Sequence, residues 1–101
     1  MKVRWTEQAL ERLADIEAFV AAADPTAAIA LTTRLIGRGE SLAKYPRRGR
    51  RVPELPDSGL RELVDGHYHL VYRVHLGRVE ILTVFEGHRL PPWEDVRPPK
   101  R

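Results

Sequence analysis

Residues 60–89 read LRELVDGHYHLVYRVHLGRVEILTVFEGHR, and this stretch decides the fold. Three strand-like runs are separated by Asp65-Gly66 and Leu76-Gly77. Such pairs close tight hairpins, because glycine accepts the positive φ that these turns need. In the middle run Tyr68, Leu70, Tyr72 and Val74 alternate with His67, His69, Val71, Arg73 and His75. A period of two gives that strand one clearly apolar face. In the third run Val79, Ile81, Leu82, Val84 and Phe85 are apolar on both faces, as expected of a central strand. Arg61 opens the block and Arg89 closes it. Arginine is the side chain that best grips phosphate or carboxylate, because its planar fork donates two parallel hydrogen bonds. The framed sheet is therefore a candidate for chemistry or for binding.

Upstream, Lys2–Trp5 alternates like a short edge strand, and Thr6 is placed to cap a helix with Glu7 in its first turn. Leu10, Leu13, Ile16 and Val20 recur at helical spacing to about residue 22. Asp24-Pro25 is a second start signal: aspartate caps, and proline at the first helical position has no N–H to leave unpaired. Ala28, Leu31, Leu35 and Leu42 share one face of a second helix that runs to about Lys44, with Gly37 and Gly39 weakening its last turns. So short a connection predicts an antiparallel helix hairpin.

Tyr45–Gly59 is a loop by composition, punctuated by Pro46, Gly49, Pro53, Pro56 and Gly59. Loops of this length are often functional, and this one holds Arg47, Arg48, Arg50 and Arg51. The tail from residue 92 to residue 101 has prolines around Trp93, which reads as a docking anchor. The expected fold is α+β, in the order β-α-α-β-β-β. A two-helix hairpin packs on one face of a small, mostly antiparallel sheet. The opposite face, with His67, His69, Arg73 and Arg61, is expected to be partly open.

The chain has 101 residues, enough for one domain with a single core. It has no cysteine, which excludes disulfides, a thiolate metal site and a cysteine nucleophile, and fits a reducing cytoplasm. MKVRWTEQ lacks the apolar run of a signal peptide, and no stretch is long enough to span a membrane. The net charge is +3. Residues 1–51 carry ten Lys/Arg against six Asp/Glu, and residues 52–101 carry seven against eight, so the excess centres on the Arg47–Arg51 cluster. Such a cluster is either a solvated loop or an attractor for nucleic acid or an acidic partner segment.

Taken in order, these pieces resemble the RelE/ParE superfamily of toxins from type II toxin–antitoxin operons, nearer the ParE, or plasmid stabilisation, branch. The resemblance covers about residues 3–91. It rests on Trp5-Thr6, Asp24-Pro25, Leu42–Pro46 with Gly49-Arg50, Val52-Pro53-Glu54-Leu55, Leu60-Arg61-Glu62-Leu63, Tyr68–Val74 and Gly87-His88-Arg89-Leu90-Pro91. It implies a cytoplasmic toxin that forms a hetero-oligomer with a cognate antitoxin, whose C-terminal segment wraps around the helices and sheet. ParE-like members poison DNA gyrase; RelE-like members cut messenger RNA on the ribosome. No cofactor, metal or membrane is implied.

Metal-free RNA cleavage needs a base for the 2′-hydroxyl, a cation for the phosphorane charge and an acid for the leaving oxygen. RelE-like enzymes resemble one another in placing lysines on the first strand of the meander. Here that strand reads Leu60-Arg61-Glu62-Leu63-Val64, without lysine, and His69 stands where an arginine is usual. Arg89 matches the C-terminal arginine, no tyrosine follows it, and Trp93 cannot act as an acid. A nuclease would have to use Arg61, His69, Arg89 and His88. A binding protein would use Arg47, Arg48, Arg50, Arg51, Arg61, Arg73, Arg89 and Trp93 toward target or antitoxin. Structural roles compete with both. Arg61 can pair with Glu54 or Glu62, and Arg89 with Glu86. His67, His69 and His75 share a face without the matched carboxylate that a metal site needs. The missing lysines favour binding over catalysis.

Overall fold

A computed structural model describes residues 1–89 and 91–96. Leu90 and residues 97–101 of the expected tail lie outside the described residues. The elements are β1 (Lys2–Trp5), α1 (Glu7–Ala21), α2 (Pro25–Glu40), β2 (Arg50–Arg51), β3 (Leu60–Asp65), β4 (Tyr68–His75) and β5 (Arg78–Glu86). The sheet order is β1-β5-β4-β3-β2, with β1 parallel to β5 and every other pair antiparallel. The α+β hairpin-on-sheet architecture expected from sequence is present, with β2 as an additional strand.

Both helix starts form for the reasons read from sequence. The Thr6 side chain accepts from the Ala9 N–H, and Asp24 accepts from the Ala27 N–H with Pro25 at the first helical position. Gly66 and Gly77 adopt φ of 59° and 79° in the two hairpins. The buried stripe of α1 is Ala9, Leu13 and, in part, Ile16 and Val20; Leu10 is 52% exposed, contrary to expectation. The small Ala9 takes the fully buried position, which turns Leu10 outward by one residue's rotation. The α-helix of α2 stops at Glu40, and Ser41–Ala43 tightens into a 3-10 turn that still buries Leu42.

Strand β5 organises the packing. Opposite Val71 and Tyr72 of β4 its register slips by one residue, so Val71 pairs with Thr83 and Tyr72 with Ile81, leaving Leu82 as the extra residue of a bulge. Ile81 and Val84 thereby face the helices, with Leu63, Leu70, Tyr72, Leu31 and Leu35. Leu82 and Phe85 face the other side, with Leu60, Val71, Val52 and Val96. Thr6 secures the bulge: its N–H donates to the Ile81 carbonyl at 3.0 Å and its hydroxyl to the Leu82 carbonyl at 3.1 Å.

The second face of the sheet is partly open, as expected: Val64 is exposed and His69 and Arg73 are half-buried, while the part around Val71 and Phe85 is covered. Val52 and Leu55 fold over it from the loop, and Trp93 and Val96 from a 3-10 turn at Trp93–Val96. Arg12 of α1 clasps that turn, donating from Nε to Asp95 at 2.7 Å and from a terminal nitrogen to Glu94 at 3.1 Å. Buried Thr83 donates to the same Asp95 carboxylate at 2.8 Å. The hydrogen bond that Arg12 donates to Asp95 raises the Arg12 pKa.

Gly37 and Gly39 have opposite roles. A Cβ at Gly37 would meet nothing within 4 Å, whereas one at Gly39 would stand 2.5 Å from the Trp5 ring and 2.8 Å from Ile81. Gly39 is thus the point where α2 closes on the sheet. Gly37→Ala should stabilise the fold by up to about 1 kcal/mol through helix propensity. Gly39→Ala should cost about 1–3 kcal/mol through overpacking. Urea denaturation of the two variants measures both signs.

Candidate functional site

The residues expected to form one site are divided between the two faces. On β3, Arg61 pairs with Tyr72 and lies two residues before Leu63, so it belongs to the helix side. His69 and Arg73 belong to the opposite side with Val71. Arg61 does not meet Glu54 or Glu62. Its guanidinium donates to the carbonyls of Gly49 at 2.7 Å and Arg47 at 3.4 Å, pinning the loop that leads into β2. Arg73 does the same for the other end of that loop, donating to the Ser58 carbonyl at 2.9 Å.

Glu62 is 2% exposed and holds two of the candidates. Arg50 approaches one carboxylate oxygen at 2.7 Å, and His69 Nδ1 lies 3.1 Å from the other. The His69 ring stacks on Phe85 at 4.9 Å with an 8° interplanar angle. A Cβ at Gly87 would stand 2.7 Å from His69 Nε2, so the absence of a side chain there makes room for the ring. A buried carboxylate left unpaired is costly. This triad therefore serves first to fix β2, β3 and β4 together.

The remaining histidines also find separate partners. His75 lies 3.0 Å from Glu80, and His67 Nδ1 lies 3.2 Å from His88 Nε2. Among the described residues no group of three or more metal-ligating side chains converges. Arg48 donates to the Ser41 hydroxyl and lies over the Tyr45 ring, while Arg47 and Arg51 are exposed. Trp93 meets Phe85 edge-on at 5.9 Å, as an anchor would.

Arg89 does pair with Glu86, at 3.7 Å, and its guanidinium lies 5.4 Å from the centre of the Phe19 ring. Together they rim a cleft of about 330 Å³ between α1 and the end of β5, lined also by Ile16, Tyr68 and Phe85. Sequence reasoning missed Arg12, Asp15 and Phe19 here. The available signal was Phe19, an aromatic residue off the apolar stripe of its helix, and it is 71% exposed.

Tyr72 is the largest fully buried side chain, and its hydroxyl accepts from the Gly49 N–H at 2.9 Å. The core thereby holds the arginine loop directly. Burial raises the phenol above its ordinary value of 10.0, against the lowering effect of the Gly49 bond and of the Arg61 and Arg48 charges. A raised folded-state value means that this contribution is complete below about pH 10 and is lost as pH rises through the folded value. Tyr72→Phe should cost about 1–3 kcal/mol at neutral pH by leaving the Gly49 N–H unpaired. It should also flatten the alkaline decline, which urea unfolding at a series of pH values up to about 11 detects.

The architecture is that of a small α+β domain with paired helices on one side of a five-stranded sheet. Residues 3–91 match the family described as ParE toxin of type II toxin–antitoxin system, parDE. A putative toxin, Y4kP, from Sinorhizobium fredii is 39% identical over 95 residues, covering 90% of this chain and 93% of that protein. Toxin RelE2 of Caulobacter vibrioides is 38% identical over 90 residues, covering 88% and 98%. Among solved structures, a chain of the chromosomal ParDE system from P. aeruginosa superposes with a TM-score of 0.72 at 21% identity, covering 85% of this chain and 95% of that one. A chain of the RelBE2 toxin–antitoxin complex from Mycobacterium tuberculosis gives 0.60 at 21% identity, covering 84% and 88%. The chain belongs to the ParE toxin family of type II toxin–antitoxin systems, within the RelE/ParE superfamily.

Proposed function

We propose that this chain is a growth-arresting toxin, silenced in the cytoplasm by a cognate antitoxin in a hetero-oligomer, and that it acts by binding DNA gyrase. The observation that carries the binding mode is the commitment of the sheet's cations and histidines to internal partners. RNA cleavage needs a free cation and a base at one point. Here Arg61 and His69 lie on opposite faces. Arg50, Arg61, Arg73 and His69 each already hold a carboxylate or a carbonyl. Arg89 lies past the end of β5, three strands away from the loop arginines beside β2.

The antitoxin part of the reading has separate support. Leu10 and Phe19 on α1, and Ile29 and Ile36 on α2, are exposed apolar side chains on a hairpin that already buries its inner face. Uncovered apolar surface of this kind suits a partner segment. No helix among the described residues is long and apolar enough to cross a membrane. RNA cleavage is the second reading. It is favoured by the Glu62 carboxylate that orients His69 through Nδ1, and by the likeness to a relative named RelE2.

Induction of the chain without an antitoxin should arrest growth, trigger the DNA-damage response and leave translated messages uncut. Co-expression of the antitoxin should restore growth. Codon-phased message ends that disappear in Arg89→Ala would establish the second reading instead. Harmless accumulation of folded protein would reduce the chain to an antitoxin-binding scaffold.

A further inference from the structure

His67 and His88 come from different turns, one before β4 and the other after β5, and neither takes part in the core or in the Glu62 network. Their ring nitrogens, His67 Nδ1 and His88 Nε2, stand 3.2 Å apart. Two imidazole nitrogens bound to one tetrahedral zinc at about 2.0–2.1 Å are separated by roughly 3.3–3.4 Å. The rings are tilted by 46° with centroids 4.9 Å apart, so the two nitrogens meet without the rings stacking face to face.

The backbone fixes this approach. The Gly87 N–H donates to the His67 carbonyl at 2.6 Å, and the His88 N–H donates to the Glu86 carboxylate at 3.0 Å. The pair is thus built on two turns already joined by a hydrogen bond, and little chain entropy is left to lose on chelation. Glu86 also brings negative charge near the site, with one oxygen 4.0 Å from His88 Nε2. His69 and His75 are held elsewhere by Glu62 and Glu80 and do not compete.

We infer that His67 and His88 form a two-histidine chelate for a late first-row divalent cation, zinc or copper in class, with water completing the coordination sphere. Neutral imidazole is the ligand form that such a cation takes. The bound cation clips the β3–β4 turn to the end of β5, beside the Glu86–Arg89 rim of the cleft. The inference is independent of the target of the toxin.

The test uses the full chain without a histidine tag, titrated with zinc chloride near neutral pH while the imidazole resonances are followed by NMR. The expected result is one saturable site per chain. The His67 and His88 signals move together, those of His69 and His75 stay in place, and the thermal midpoint rises with zinc. His67→Ala and His88→Ala should each abolish the saturable site, whereas His75→Ala should retain it. Saturable binding that survives both His67→Ala and His88→Ala, or no saturable binding by the unaltered chain, overturns the inference.

Discussion

Strand β5 needs cover on both sides, and the rest of the structure follows from that constraint. A strand with Val79, Ile81 and Val84 on one side and Leu82 and Phe85 on the other cannot leave either side in water without losing burial worth about 25 cal/mol per Å². The helix hairpin covers the first side. No helix remains for the second, so Val52 and Leu55 of the loop and Trp93 and Val96 of the C-terminal turn cover it. The bulge at Leu82 supplies side chains to both layers from consecutive positions, and Thr6 satisfies the carbonyls on its open edge.

This second layer determines what the polar residues can do. A loop and a short turn have few backbone bonds of their own, so side chains from the sheet and from α1 hold them. Arg61 and Arg73 hold the two ends of the loop by its carbonyls, and Arg12 with Thr83 holds the C-terminal turn through Asp95. Arginines that resemble a catalytic set in sequence are thereby spent on architecture. What stays open is the edge of the molecule: the Arg47–Arg51 surface beside β2, and the Phe19–Arg89 cleft beside α1.

The sequence made the helices, the hairpins and the two-sided burial of β5 legible because each has a local cause: a cap, a glycine turn, a period. The two-residue strand β2 was not legible, since Arg50 and Arg51 carry no strand-like pattern and pair only because β3 offers an edge. The cover over part of the second face was hidden for a similar reason, because it comes from segments whose prolines and charges read as loop. The largest misreading of the site was that of facing. Arg61 and His69 were grouped as neighbours of one face, but pairing of Arg61 with Tyr72 assigns it to the helix side. Register between strands is a tertiary property, and one residue of offset moves a side chain to the other face. The Arg89–Glu86 pair and the Trp93 anchor were readable because sequence proximity and proline context constrain them directly.

The central claim is that these committed side chains leave a protein that works by occupying a target rather than by cutting RNA. The most direct measurement is plasmid supercoiling by purified gyrase in the presence of the purified chain. The account predicts that supercoiling is lost as the chain approaches stoichiometry with the enzyme and returns when the cognate antitoxin is added. Undiminished supercoiling at a stoichiometric excess of folded toxin would contradict it.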